Sequence, residues 1–302
     1  MTRRAALSLC LGAFGAIAAQ AATLDLARPE VQAFIDEAAA EHGLERAWVE
    51  SILARAEPQP DIIELISRPA EKRLTWGEYR KNFLDEKRVA TGVAFWKEHA
   101  DRLAEVERQT GVDPRAIVGI LGVETRFGRI TGRHRVLDAL VTLGFDYPPR
   151  SEYFLSELAQ FLVLAHDEVI SPLDSRGSYA GAMGFGQFMP RSYRIYAVDG
   201  NGDGRRDLFT DWDDAISSIA NYLVQHGWRA GEPMLAGRQA PEGREKDAST
   251  LDIEVMDESG PIQLTGLHNL SVIMRYNRSL LYALAVEELG RTIALRLGDD
   301  IR

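Results

Sequence analysis

The sequence predicts a mainly α-helical protein with a small β-appendage. Apolar residues recur at three- and four-residue spacing through most of the chain, which places them on one face of a helix. Alternating strand patterns are weak and are confined to two short runs, 250–255 and 260–264. The chain has 302 residues, 45% hydrophobic and 26% charged, with no internal repeat and no Pro/Ser-rich linker. These features indicate an ordinary globular protein with a substantial core.

The first 21 residues are typical of a secretory signal peptide. Arg3 and Arg4 precede an apolar stretch at 5–19, and Ala19-Gln20-Ala21 offers a cleavage site of the small-x-small type. The apolar stretch is too short to span a membrane. We therefore predict an exported, periplasmic protein with no transmembrane span.

The single cysteine, Cys10, lies inside this signal. A lipoprotein would keep it as the new N-terminus, but Leu9 precedes it where a small residue is needed, which disfavours a lipid anchor. The mature chain would then contain no cysteine. It would carry 33 basic and 45 acidic residues, a net charge of −12. This balance argues against nucleic acid and against an anionic membrane surface as the main partner.

Helices are predicted along the mature domain, 22–297, which a short tail at 298–302 follows. The predicted ranges are 29–41, 49–53, a longer region at 75–110, 113–128, 151–168, 211–226 and 270–297. The aromatic residues of the third range, among them Tyr79, are interpreted as core because they fall at helical spacing. A charged loop containing Gly and Pro, at 231–249, leads to the two strand runs.

Glu124 is the strongest candidate catalytic residue. Its helix begins with Asp113 as N-cap and Pro114 in the first turn, and the carboxylate shares the apolar stripe of positions 117, 120 and 121. Apolar surroundings raise the pKa of a carboxyl, and a protonated carboxyl can act as a general acid. The alternative is a buried glutamate paired with an arginine such as Arg126 or Arg129.

Two further segments could line a substrate cleft. Glycines at 181, 184 and 186, followed by Gln187, allow a very close backbone approach, either as the floor of a groove or in tight packing between helices. Arg275-Tyr276-Asn277 interrupts the apolar pattern of the last predicted helix. Its polar side chains fit a wet cleft or a solvated helical face equally well.

The run Asp-Gly-Asn-Gly-Asp-Gly at 199–204 resembles a calcium loop. Oxygen ligands alternate and Gly204 stands at the sharp turn, but Thr210 occupies the position where glutamate normally closes the loop. Asp214, or less favourably Asp213, would close a longer loop. The candidate ligands of a structural Ca²⁺ are Asp199, Asn201, Asp203 and Asp214, with the backbone carbonyl of Arg205.

Four motifs occur in order: Gly-Val-Glu-Thr-Arg-Phe-Gly at 122–128, the glycine-rich segment 180–190, the calcium loop and Arg275-Tyr276-Asn277. Together they resemble the membrane-bound lytic murein transglycosylase B family of peptidoglycan-cleaving enzymes, over nearly the whole mature chain. The resemblance implies a lysozyme-like helical core with additional helical regions and an EF-hand-like calcium site. It also implies peptidoglycan glycan strands as the partner.

By the same resemblance, Glu124 would be the sole catalytic acid and base. The residues implied to line the saccharide groove are Ser178, Gln187, Tyr222, Tyr276, Asn277 and Tyr282. Two features depart from the family pattern: the weak lipid-attachment signal, and Pro149-Arg150, where family members often carry two arginines.

The expected reaction is cleavage of the bond between N-acetylmuramic acid and N-acetylglucosamine without water, leaving a 1,6-anhydro ring. Ordinary glycosidases use two carboxylates, and the motifs offer only Glu124. A hydrolytic muramidase is one alternative. A catalytically silent, calcium-stabilised peptidoglycan-binding protein is another.

Overall fold

The computed structural model describes residues 23–68, 74–167, 169–236 and 250–300, and over these ranges the protein is mainly helical, as predicted. The helices are α1 Pro29–His42, α2 Arg46–Leu53, α3 Pro60–Ile66, α4 Trp76–Arg80, α5 Glu86–Glu98, α6 Ala100–Thr110, α7 Pro114–Thr125, α8 Val136–Asp146, α9 Ser151–His166, α10 Pro190–Tyr196, α11 Trp212–Gln225, α12 His268–Tyr276 and α13 Leu280–Asp300. The predicted signal peptide lies outside the described residues. None of the helices within these ranges is long and apolar enough to cross a bilayer.

Two antiparallel pairs of strands complete the fold. The first joins β1 His134–Arg135 to β2 Arg176–Gly177. The second is a hairpin of β3 Leu251–Asp257 and β4 Gly260–Gly266, which pairs the two runs in which strands were predicted. The hairpin contacts α4 and α12, so it packs at one side of the helical body.

Long predicted helices are divided in the structure. The region 75–110 consists of α4, α5 and α6, because Asp85 caps a new helix and His99 leaves the helical conformation at φ −107°. The range 270–297 is interrupted at Asn277, whose backbone is extended, and the second part, α13, continues to Asp300 within the predicted tail. Helices α3, α8 and α10 were not predicted. Each is short or surrounded by proline and glycine signals.

The helix that carries Glu124 is nearly all buried. Asp113 accepts a hydrogen bond from the backbone N–H of Arg115 at 2.8 Å, which confirms the predicted N-cap. The helix ends at Thr125, three residues before the predicted end at Gly128, because Arg126 already takes the left-handed conformation at φ 51°.

Helices α7 and α13 pack with their backbones in close approach. A Cβ atom on Gly119 would lie 2.3 Å from the carbonyl oxygen of Val286, and one on Gly290 would lie 2.1 Å from that of Arg115. Only glycine permits this separation without displacement. The contact fixes the C-terminal end of α7, with Glu124, beside the start of α13.

Candidate active site

Glu124 lies half-buried at the C-terminal end of α7 and faces the first turn of α13. Tyr282, which is 2% exposed, donates its hydroxyl to Glu124 Oε1 at 2.7 Å. Burial, followed by the charge of Glu124, raises the pKa of Tyr282 well above its usual value. Tyr282 is therefore a neutral hydrogen-bond donor to the carboxylate over the whole physiological pH range.

Two further tyrosines extend from this pair. The ring of Tyr276 lies 4.8 Å from that of Tyr222, and burial, followed by the charge of Glu124, raises the pKa of Tyr276. The Tyr276 hydroxyl donates to the carbonyl of Gly186 at 2.6 Å, and the Tyr222 hydroxyl donates to that of Arg275 at 2.7 Å. Both tyrosines thus brace backbone around the site while their rings form its wall.

The glycine-rich segment is a loop, and its glycines approach other parts of the protein. A Cβ on Gly184 would lie 2.4 Å from the carbonyl oxygen of Leu208, and one on Gly186 would lie 2.9 Å from the Tyr276 hydroxyl. The two glycines thus pack tightly, but in a loop, and not between helices as the alternative interpretation had it. The loop is nevertheless part of the site, because Tyr276 holds it.

The polar groups of this loop are largely engaged with backbone. Gln187, at φ 53°, donates from Nε2 to the carbonyls of Thr131 and Gly184, each at 3.0 Å, which leaves its amide oxygen for other partners. Ser178 Oγ accepts the N–H groups of residues 180 and 182 at 3.2 and 3.0 Å, and its hydroxyl proton can still be donated. Asn277 is half-buried in the break between α12 and α13.

Two residues beside the site were not predicted as part of it. Thr125 donates its hydroxyl to the carbonyl of Phe185 at 3.0 Å, which attaches the glycine-rich loop to the residue after Glu124. Tyr79 is buried, as predicted for a core residue, and it lies close enough to Tyr282 for the two phenol groups to interact electrostatically. The sequence did offer a signal for Thr125, because its hydroxyl group directly follows the candidate acid Glu124. Nothing local links Tyr79 to α13.

Comparison with known protein families gives a match over residues 26–291 to the family described as Transglycosylase SLT domain. The chain belongs to this family. The match covers most of the chain, including every predicted site residue.

Individual members are similar over nearly their whole length. Membrane-bound lytic murein transglycosylase B of Escherichia coli (strain K12) is 41% identical over 305 residues, which cover 88% of this chain and 83% of the relative. The soluble lytic transglycosylase SltB1 of Pseudomonas aeruginosa superposes with a TM-score of 0.82 at 41% identity, covering 89% of this chain and 100% of SltB1. The Escherichia coli lytic transglycosylase Slt35, solved in complex with calcium, has a TM-score of 0.81 at 40% identity, covering 91% of this chain and 96% of Slt35.

In this member of the family, the loop at 199–204 is tightly folded around Asp199. Its carboxylate accepts the N–H of Gly202 and that of Gly204, each at 2.7 Å, and both glycines have positive φ, 79° and 88°. Asn201 Oδ1 accepts the N–H of Asp203 at 2.9 Å. Asp203 Oδ1 in turn accepts the N–H of Arg205 at 2.8 Å. The hard oxygen donors are thus gathered on one turn.

Asp214 has a different environment. It is 1% exposed, and its two oxygens accept the N–H groups of Gly200 and Asp207, each at 2.6 Å. Burial raises its pKa, while these two hydrogen bonds act in the opposite direction. Asp214 therefore ties both ends of the loop to α11. Among the described residues there is no group of three or more His, Cys, Asp or Glu side chains placed to hold a metal.

Proposed function

We propose that this chain is a periplasmic lytic transglycosylase that cleaves the β-1,4 bond between N-acetylmuramic acid and N-acetylglucosamine in peptidoglycan. Membership of the transglycosylase family supports the reaction class, and the relatives named above are lytic transglycosylases. The observation that carries the proposal is the half-buried carboxylate of Glu124, hydrogen-bonded to a buried neutral tyrosine in a tyrosine-walled site.

In the proposed reaction Glu124 first donates its proton to the glycosidic oxygen, and the bond from that oxygen to the muramic C1 breaks. Positive charge develops at C1, where the substrate's N-acetyl group and polar side chains such as Ser178 and Asn277 stabilise it. Glu124, now ionised, removes the proton from the C6 hydroxyl as that oxygen bonds to C1. The product is a 1,6-anhydro ring, water is not consumed, and Glu124 is again protonated.

One carboxylate interacts electrostatically with both buried tyrosines of the site. Within the described part of the chain, Glu124 is the carboxylate whose charge raises the pKa of both Tyr276 and Tyr282. A hydrolytic glycosidase needs a second carboxylate within roughly 5–10 Å of the first, as nucleophile or as base for water. A single carboxylate acting first as acid and then as base suits the intramolecular reaction.

Release of soluble muropeptides from purified sacculi tests the proposal. We expect Glu124→Gln to abolish release, because the amide cannot donate a proton and then accept one. Glu98→Gln, which makes the same change at an exposed position of α5, should release them at the normal rate. Full activity of Glu124→Gln would contradict the assignment. No activity of the unmodified protein would favour a binding protein.

The loop at 199–204 is proposed to bind a structural calcium ion. Asp199, Asn201 and Asp203 would supply side-chain oxygens, Arg205 a backbone carbonyl, and Asp214 would close the site. The hard-oxygen donors on one turn and the left-handed glycines fit Ca²⁺, and a calcium complex of Slt35 supports the choice of metal. Bound calcium would neutralise the acidic loop and hold it against α11.

A further inference from the structure

In the described part of the chain, three residues other than glycine have a positive φ, and all three lie in two segments beside Glu124. Arg126 and Phe127, at φ 51° and 58°, form the turn that ends α7, and Gln187, at φ 53°, belongs to the glycine-rich loop. Side chains other than glycine disfavour this conformation. It persists where the surrounding structure holds it, and such residues cluster at functional sites.

The Thr125 hydroxyl joins these two segments. Thr125 is fully buried, and its hydroxyl donates to the carbonyl of Phe185 and accepts the N–H of Gly128, each at 3.0 Å. A hydroxyl has one proton to donate, and the Phe185 carbonyl is nearer than that of Leu121, which lies at 3.2 Å. One side chain thus closes the turn after α7 and holds the glycine-rich loop against it.

The segment that Thr125 holds is also fixed from its other sides. The N–H of Phe185 donates to the carbonyl of Leu208 at 2.8 Å, and its ring stacks on that of Trp212, with 3.6 Å between the centroids. The next carbonyl along the chain, that of Gly186, accepts the Tyr276 hydroxyl at 2.6 Å. Two consecutive carbonyls of the loop are therefore held by hydroxyls from the last residues of α7 and α12.

We propose that Thr125 is a positioning residue, whose hydroxyl aligns the glycine-rich loop with the Glu124 carboxylate. This inference rests on the proposed function and adds to it a residue that acts through the loop and not on the substrate. In the proposed reaction one carboxylate must reach two oxygens of the substrate in turn, and each proton transfer needs a separation of roughly 2.6–3.2 Å. A misplacement of about 1 Å between the acid and the loop can cost about 100-fold in rate.

The alternative is that the hydroxyl serves only the stability of the fold, and Thr142 provides the comparison. Thr142 is 1% exposed, and its hydroxyl donates to the carbonyl of Asp138 at 2.6 Å and accepts the N–H of Gln59 at 2.8 Å. Replacing either threonine by valine leaves one backbone N–H without its partner. Thr125→Val and Thr142→Val should therefore lower the melting temperature by similar amounts.

Steady-state kinetics on soluble muropeptide oligomers, below both melting transitions, separate the two roles. Thr125→Val should lower kcat about tenfold and change KM by less than about twofold, because the binding groups remain and only their alignment with the acid changes. Thr125→Ser, which keeps the hydroxyl, should retain most of kcat, and Thr142→Val should retain all of it. The pH dependence of Thr125→Val should keep its basic limb in place, because the hydroxyl bonds backbone groups.

Hydrogen exchange of the backbone amides gives a second measurement that does not depend on activity. The N–H of Phe185 is bonded to the carbonyl of Leu208, so its exchange reports whether the loop stays in place. Thr125→Val should accelerate exchange in the segment 183–188, whereas Thr142→Val should not. If Thr125→Val does not fold, Thr125→Cys takes its place, and its weakly donating thiol should give an intermediate kcat.

The outcomes separate this inference from the proposed function. If the unmodified enzyme releases no muropeptides, the proposed function fails, and hydrogen exchange then tests whether Thr125 holds the loop. If the enzyme is active and Thr125→Val has a normal kcat, the inference alone is wrong. It is also wrong if Thr142→Val loses as much kcat as Thr125→Val, or if exchange in the segment 183–188 is unchanged in Thr125→Val.

Discussion

Replacing Tyr282 by phenylalanine removes a hydrogen-bond donor from Glu124 with little change in shape. The hydroxyl donates to Glu124 Oε1 at 2.7 Å and stabilises the ionised carboxylate more than the protonated form. A hydrogen bond to a charged group is worth about 1.5–3 kcal/mol. Because Glu124 is half-exposed, we take the lower end. That energy corresponds to a rise in the pKa of Glu124 of about one unit, at 1.36 kcal/mol per unit.

The assay is the pH dependence of kcat/KM on soluble muropeptide oligomers. The first proposed step needs protonated Glu124, so the rate falls as pH rises through the pKa of Glu124 in the free enzyme. In Tyr282→Phe this basic limb should move up by about one pH unit. Tyr276→Phe is the matched control, because that hydroxyl donates to the carbonyl of Gly186, and its basic limb should not move. A limb that stays in place or moves down in Tyr282→Phe would refute this account of the pair.

Three further predictions concern the scaffold. Gly119→Ala should lower the free energy of unfolding in urea by about 1–3 kcal/mol, because the added Cβ would lie 2.3 Å from a carbonyl oxygen of α13. The control Gly298→Ala, whose Cβ would meet nothing within 4 Å, should not destabilise the protein, and equal effects of the two substitutions would contradict the packing argument. Glu157→Gln should raise the melting temperature at pH 7 but not in acid. Burial raises the pKa of Glu157, so its ionisation destabilises the fold once the pH exceeds the ordinary pKa of a glutamate, whereas the amide stays neutral and still accepts the N–H of Arg191. A gain in melting temperature confined to acid would contradict this reasoning. Removal of calcium by a chelator should lower the melting temperature, because calcium at a hundred times its Kd adds about 2.7 kcal/mol to the free energy of unfolding. Identical melting curves with and without calcium would exclude the site.

The sequence predicted those parts of the fold that depend on local signals. The N-cap at Asp113 and the apolar stripe of the following helix predicted α7, and the alternating runs predicted the β3–β4 hairpin. Breaks inside long apolar patterns were missed. The extended residue Asn277 separates α12 from α13. Local signals for this break were present, because the polar run at 275–277 interrupts the apolar pattern and Ser279 Oγ accepts the N–H of Tyr282 at the start of α13.

The same division applies to the candidate site. Glu124 was recognisable as a carboxylate on an apolar helix, and the family resemblance implied Tyr282 as a groove residue. Neither could reveal that the Tyr282 hydroxyl donates to Glu124, because that bond depends on the close packing of α7 and α13. The role of Thr125 as an anchor for the glycine-rich loop likewise arises only when distant segments meet.

The most direct test of the central claim is mass spectrometry of muropeptides released in heavy-oxygen water. If Glu124 acts first as acid and then as base on the substrate's own hydroxyl, the products will be one water lighter than hydrolysed muropeptides and will carry no heavy oxygen at the new end. Products that are one water heavier and labelled at that end would show that water is the nucleophile, and would contradict the single-carboxylate mechanism.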